Sequence, residues 1–182
     1  MRVSTAVMTA FRRRHLLMAG ALLALAGCSG SDAPAGAQEV TVGHLSVTVP
    51  EGWTEEPAKD PWDTKFVGDG YELQIAGTFS DDPSAVAAYP RLDLPAMLKL
   101  PDYESKGVHK PPVTVEGSDS STRRDFTYTD DGTAMEGMWV IAGQWPYPST
   151  AAIALSGRSL EDEVVEPLVE SLRFDKTLGD SK

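Results

Sequence analysis

From position 40 the chain alternates apolar and polar side chains, with Val40 and Val42 followed by Leu45, Val47 and Val49. That period of two marks a strand with one buried face. The apolar positions pass from even to odd at Gly43-His44, so a bulge or a tight turn is expected there. Pro50-Glu51-Gly52-Trp53 then ends the segment. Thr64 to Val67 and Tyr71 to Ala76 read as two more strands joined at Gly68-Asp69-Gly70, with Tyr71, Leu73 and Ile75 on one face. After Asp81 the pattern changes. Asp82 is placed to cap a helix and Pro83 to open it, while Pro90 and Pro95 prevent one long helix and predict two short pieces. Val113 and Val115 mark a strand, and Phe126 and Tyr128 another before the turn at Asp130-Asp131-Gly132. Met135 to Ala142 is almost continuously apolar, as a strand covered on both faces would be. Beyond the turn-rich Gln144-Trp145-Pro146-Tyr147-Pro148, Ala151, Ile153 and Leu155 alternate in a last strand. A helix closes the pattern: Ser159 as cap, Asp162 in the first turn, and Val164, Leu168 and Leu172 at i, i+4 and i+8, with a kink expected at Pro167. Hairpin connections between strands predict an α+β fold: a curved antiparallel sheet of about six strands, one interrupted middle helix and a C-terminal helix packed on the sheet.

The segment before position 40 has a different character. Arg12-Arg13-Arg14, the apolar run Leu16 to Ala26 and the small residues ahead of Cys28 form the three parts of an export signal. Eleven apolar residues are too few for a permanent span, which needs about twenty. Leu25-Ala26-Gly27-Cys28 resembles the bacterial lipobox, whose cysteine takes a diacylglycerol on sulfur and becomes the acylated first residue after cleavage. The expected organisation is therefore a signal peptide over 1–27, a lipidated N-terminus and flexible tether over 28–39, one α+β domain over 40–176 and a disordered tail over 177–182. Arg13-Arg14 followed by His15-Leu16-Leu17 resembles a twin-arginine signal but lacks the Ser or Thr before the pair and the Lys after it, which favours an ordinary basic n-region, and translation could start at Met1 or Met8. The expected location is the extracytoplasmic face of the cell membrane, held by the lipid anchor.

Charge sharpens this picture. The 182-residue chain carries a formal net charge of −11. Arg2, Arg12, Arg13 and Arg14 lie in the leader, so its removal leaves 12 basic against 27 acidic side chains, or −15. Such a surface repels phosphate backbones, and nucleic acid is not expected as a partner. With Cys28, the single cysteine, committed to the anchor, the folded part has no thiol for a disulfide, a nucleophile or a cysteine-based zinc site.

Catalytic constellations are sparse. His44 and His109 are the only histidines after the leader, and no Gly-x-Ser-x-Gly elbow presents a serine to either. His44, in its turn, is expected to be solvated. The two lack metal-ligand spacing, so no metal and no cofactor are expected. Acidic pairs abound at Glu55-Glu56, Asp81-Asp82, Asp130-Asp131 and around Glu161. A hydrolase could use two carboxylates across a cleft, but helix caps and turns also account for most of them. The aromatic residues are the better candidates for a site. Trp53 and Trp62 flank one loop, and Trp145 and Tyr147 sit in the proline-bracketed loop before the last strand. If those loops met, they would form an aromatic floor for a glycan or an acyl chain; the alternative is that they cap the core.

The run Gly43 to Trp53, an alternating strand ending in Pro-x-Gly-Trp, resembles the opening of the PsbP-like (Mog/PsbP) α/β-sandwich family. The closing Glu170-Ser171-Leu172-Arg173-Phe174 is similar to that family's ending. With its lipobox and tether, the chain resembles in particular the LpqN-type lipoproteins of actinobacteria. The resemblance implies a sheet with helices packed on it and a binding or assembly role without a shared catalytic set. The expected function is thus a lipid-anchored, non-catalytic binding or interaction module of the cell envelope, its partner an envelope protein, a lipid or a glycan. The alternatives are a carrier that shelters a lipid or glycolipid in an internal cavity, and a cell-wall hydrolase using a carboxylate pair.

Overall fold

The computed structural model describes residues 37–176. The leader, Leu25 to Cys28 of the lipobox, most of the tether and the tail over 177–182 lie outside the described residues. Ten strands and three helices follow in the order β1 (Gln38–Val42), β2 (Leu45–Val49), β3 (Thr54–Glu56), β4 (Thr64–Gly68), β5 (Tyr71–Ser80), α1 (Ala85–Ala88), α2 (Pro90–Lys99), β6 (Glu104–Val108), β7 (Ser120–Asp130), β8 (Thr133–Gln144), β9 (Ser149–Gly157), α3 (Asp162–Glu170) and β10 (Arg173–Phe174). β3-β4-β5-β9-β8-β7-β6 form one antiparallel sheet, and β1-β2-β10 a second, smaller one. The fold is the expected α+β class, with seven strands in the main sheet, an interrupted middle helix and a C-terminal helix.

Alternation divides the central strands between two cores. Leu73 and Ile75 of β5, Leu155 and Ile153 of β9, and Met138 and Val140 of β8 lie in register and point to one face. There they meet Leu45, Val47 and Val49 of β2 and Val165, Leu168 and Val169 of α3. Trp139 and Ile141 of β8, Ala152 of β9 and Phe126 of β7 point the other way, beneath Ala85, Ala88, Leu92 and Ala96 of α1 and α2. β8 is buried continuously from Gly137 to Gln144, as its apolar run predicts.

The shift of register at Gly43-His44 is a two-residue turn between β1 and β2. It presses on β5: the His44 amide donates to the Gly77 carbonyl at 2.9 Å. A Cβ on Gly77 would fall 1.9 Å from the Val42 carbonyl oxygen, so only glycine permits this approach.

Several local expectations are corrected. Asp82 does not cap the first helix; Ser84 does, its hydroxyl accepting from the Ala87 amide at 3.2 Å. Asp82 accepts instead from Ser80 at 2.7 Å and pairs with Arg91. Pro90 separates the two helices, whereas Pro95 is held inside α2. Val113 and Val115 lie in a connection rather than a strand, Val115 being anchored by its burial. β6, which has no apolar alternation, forms as a charged edge strand on β7. Ser159 is not the cap of α3; that position is Glu161, and the Ser159 hydroxyl donates to its carboxylate at 2.6 Å.

Candidate functional site

α1 and α2 cover only part of the second face. β7 and β8 lie under them, but Glu72 and Gln74 of β5 and Ala154 and Ser156 of β9 face an open groove of about 730 Å³ beside α2. One wall is α2 itself, through Leu92, Pro95, Ala96 and Lys99, and the other is the loop Asp60-Pro61-Trp62. Helical spacing produces this wall: positions 92, 96 and 99 share one side, three and four residues apart. The same spacing turns Leu94, Met97 and Leu98 to solvent, where they are exposed by 58%, 60% and 87%. Val86 of α1 is also exposed. α2 is therefore apolar on its outer side, the reverse of an ordinary surface helix.

The floor is aromatic. The Phe126 and Trp139 rings stack with centroids 4.1 Å apart, Tyr103 lies against both, and Tyr128 lies beside Phe126. Phe126 lies across Gly137 of β8, where a Cβ would come within 2.2 Å of its ring. Glycine at this point is what allows the ring to lie flat on the strand. α2 is fastened above by Asp93, which accepts from the hydroxyls of Tyr89 and, at 2.7 Å, Tyr103. The Arg124 guanidinium stands 4.5 Å over the Tyr89 ring. Burial, reinforced by the Asp93 carboxylate, pushes the Tyr89 and Tyr103 hydroxyls above the ordinary tyrosine range. Burial does the same to Tyr128. All three therefore stay protonated donors at neutral pH.

The four aromatic residues that would form a floor if their loops met are not brought together. Trp53 lies on the opposite face, in the core, stacked on Tyr71 at 5.8 Å with its indole N–H donating to Asp69 at 3.2 Å. Trp62 lines the groove and stacks on Phe79 at 6.4 Å. Trp145 and Tyr147 project from the β8–β9 hairpin, 61% and 75% exposed, and belong to neither core. That hairpin is tied down: the Trp145 amide donates to Asp119 at 2.9 Å and Gln144 Nε2 to the Tyr147 carbonyl at 2.7 Å. The Lys176 ammonium beside Asp119 holds its carboxyl below the usual range.

His44 is not solvated. It is 7% exposed, stacks on Phe174 at 5.3 Å, and its Nδ1 bonds the Asp175 carbonyl at 2.7 Å. A turn histidine is buried here because β10 folds back over it, a contact 131 residues away in sequence. His109 Nδ1 meets Asp125 Oδ2 at 2.8 Å, and Arg123 Nε meets Asp125 Oδ1 at the same distance. Among the described residues no serine or threonine hydroxyl is bonded to His109. The two carboxylates with displaced ionisation, Asp82 and Asp119, are both pulled down by hydrogen bonds from cations, Arg91 and Lys176. No cluster of three or more metal-ligating side chains occurs among the described residues, and no helix among them is long and apolar enough to cross a membrane.

The groove's floor comes from Phe126, Trp139 and Tyr128, and sequence reasoning treated these only as strand residues. Their signal was present: aromatic side chains on one face of adjacent long strands, opposite a glycine.

No family model matches the chain, and no curated protein matches it. Among solved structures, LpqN involved in cell envelope biogenesis of Mycobacterium tuberculosis is 14% identical, with 76% of this chain and 91% of that one covered and a TM-score of 0.44. PA94 of Pseudomonas aeruginosa is 15% identical, with coverages of 72% and 89% and a TM-score of 0.39. The Ran-binding protein Mog1p of Saccharomyces cerevisiae is 10% identical, with 78% of this chain and 97% of Mog1p covered at a TM-score of 0.52. This chain is similar in fold to Mog1p.

Proposed function

We propose that the chain is a lipid-anchored, extracytoplasmic binding module that captures its partner on the α2 side of the main sheet and performs no chemistry of its own. The observation that carries this reading is the outward run Leu94, Met97 and Leu98 beside an open, aromatic-floored groove. Solvent-facing apolar side chains in such a cluster mark interaction surfaces. Mog1p is a precedent for this architecture serving a binding role. The lipobox Leu25-Ala26-Gly27-Cys28 supports attachment to the outer face of a membrane, where two or three acyl chains bind far more firmly than one. The groove is open along its length and rimmed by Asp60, Glu72, Lys99 and Asp130, which favours surface recognition over an enclosed acyl store.

The test is affinity capture from the native envelope with the full-length chain, its Leu94→Asp/Leu98→Asp variant and a Cys28→Ser variant. Specific recovery of a partner by the parent chain and its loss with the α2 variant supports the reading. Equal recovery by both removes α2 from the binding surface. A Cys28→Ser chain that still fractionates with the membrane would remove the anchor.

A further inference from the structure

Resting on that reading, we infer that the groove beside α2 takes an extended peptide segment with cationic residues at its ends and apolar residues between them. The argument is one of unspent charge. Five ionisable acidic and basic side chains line the groove: Asp60, Glu72, Arg91, Lys99 and Asp130. Arg91 is committed to Asp82, and Glu72 meets Lys65 at 3.4 Å. Among the described residues neither Asp60 nor Asp130 has a cationic partner, and Lys99 has no anionic one.

The two carboxylates stand at opposite ends. Asp60 adjoins Trp62, which stacks on Phe79 near the far end of β5. Asp130 closes β7 at the turn into β8, near the end of α2, since the Thr129 amide donates to the Pro101 carbonyl at 2.8 Å. Between them the floor carries Ala154, Phe126 and Trp139, and the carboxylate beside them, Glu72, is already spent on Lys65. An occupant that satisfies these groups is positive at both ends and apolar in the middle. The single ammonium of Lys99 is outnumbered, and the chain's net charge of −11 repels polyanions.

Length agrees with this. The ten residues of α2 form a wall about 15 Å long at 1.5 Å per residue. An extended segment rises about 3.3 Å per residue, so four or five residues fill the wall.

The probe is a labelled, N-acetylated and C-amidated hexapeptide, Lys-Leu-Val-Leu-Val-Lys, titrated by fluorescence anisotropy against the full-length chain, with Glu-Leu-Val-Leu-Val-Glu as its charge-reversed control. The basic peptide is expected to bind at least tenfold more tightly. Asp60→Lys/Asp130→Lys should abolish that preference, Lys99→Glu should strengthen it severalfold, and Ala154→Trp should block both peptides by filling the floor. The double charge variant is confined to exposed positions, so its folding does not depend on the groove. Equal binding of both peptides, or a preference that survives Asp60→Lys/Asp130→Lys, overturns the inference. If neither peptide binds while the α2 variant still loses its envelope partner, the peptide assignment fails and the binding-module reading stands. If the parent chain and the α2 variant recover the same partner, the reading itself fails.

Discussion

The two faces of the seven-stranded sheet are built from the same strands and finished in different ways. On one face aliphatic side chains interlock: Leu73, Ile75, Met138, Ile153 and Leu155 are fully buried under β2 and α3. On the other, flat rings overlap under two short helices, and the cover stops before it reaches β5. Aliphatic residues gain by being enclosed on all sides, because their stabilisation follows buried area and close contact. Rings with hydroxyl tips can be half-covered, since one end is apolar and the other hydrogen-bonds. The closed face therefore carries the stability, and the half-covered face leaves apolar side chains and an open groove at the surface.

This contrast predicts a graded series. Leu73→Ala, on the closed face, should cost about 3 kcal/mol by removing buried methyl groups from a site that cannot collapse. Denaturant melts with an unchanged m-value would confirm it. Gly137→Val should cost about 2 kcal/mol by pushing Phe126 off β8, and near-ultraviolet dichroism should report the disturbed ring stack. Ser84→Ala removes the cap of α1 and should cost about 1 kcal/mol, with the loss confined to the helical face in amide exchange. Smaller again is the pH effect of Asp82, whose carboxyl is held down by hydrogen bonds from Arg91 and Ser80. A depressed folded-state pKa gives stability that is present above the ordinary aspartate value near 4 and is lost as pH falls below it. Asp82→Asn should flatten that acid limb by lowering stability slightly at neutral pH, where the ion pair contributes, and leaving it unchanged in acid. Leu98→Asp should change stability by less than about 0.5 kcal/mol, since the side chain is exposed. A large loss there would return α2 to the core and end the division of labour between the faces.

The closed face was legible in the sequence and the open one was not, for a physical reason. Leu45, Val47 and Val49, like Tyr71, Leu73 and Ile75, announce their face by strict alternation, and β8 announces burial on both sides by its unbroken apolar run. The groove depends on how far α2 reaches across the sheet, which no local pattern encodes. Trp53 and Trp62 lie nine positions apart and face opposite sides of the sheet, because Trp53 precedes β3 on the closed side and Trp62 precedes β4 on the open side. β6 was invisible because an edge strand needs charges more than apolar residues, and Glu104 and Lys106 supply them. His44 misled for the converse reason: its surroundings come from Phe174, at the far end of the domain.

The small sheet has a mechanical consequence. The chain preceding Gln38 enters the fold through β1, whose five residues pair along their whole length with β2, while β10 grips the other edge of β2. A pull on that leading chain, directed along the strand, loads the β1–β2 hydrogen bonds together in shear rather than peeling them one at a time. β2 in turn rests on the closed face. Tension on that leading chain would thus be borne first by the β1–β2 pair, on the side of the sheet opposite α2.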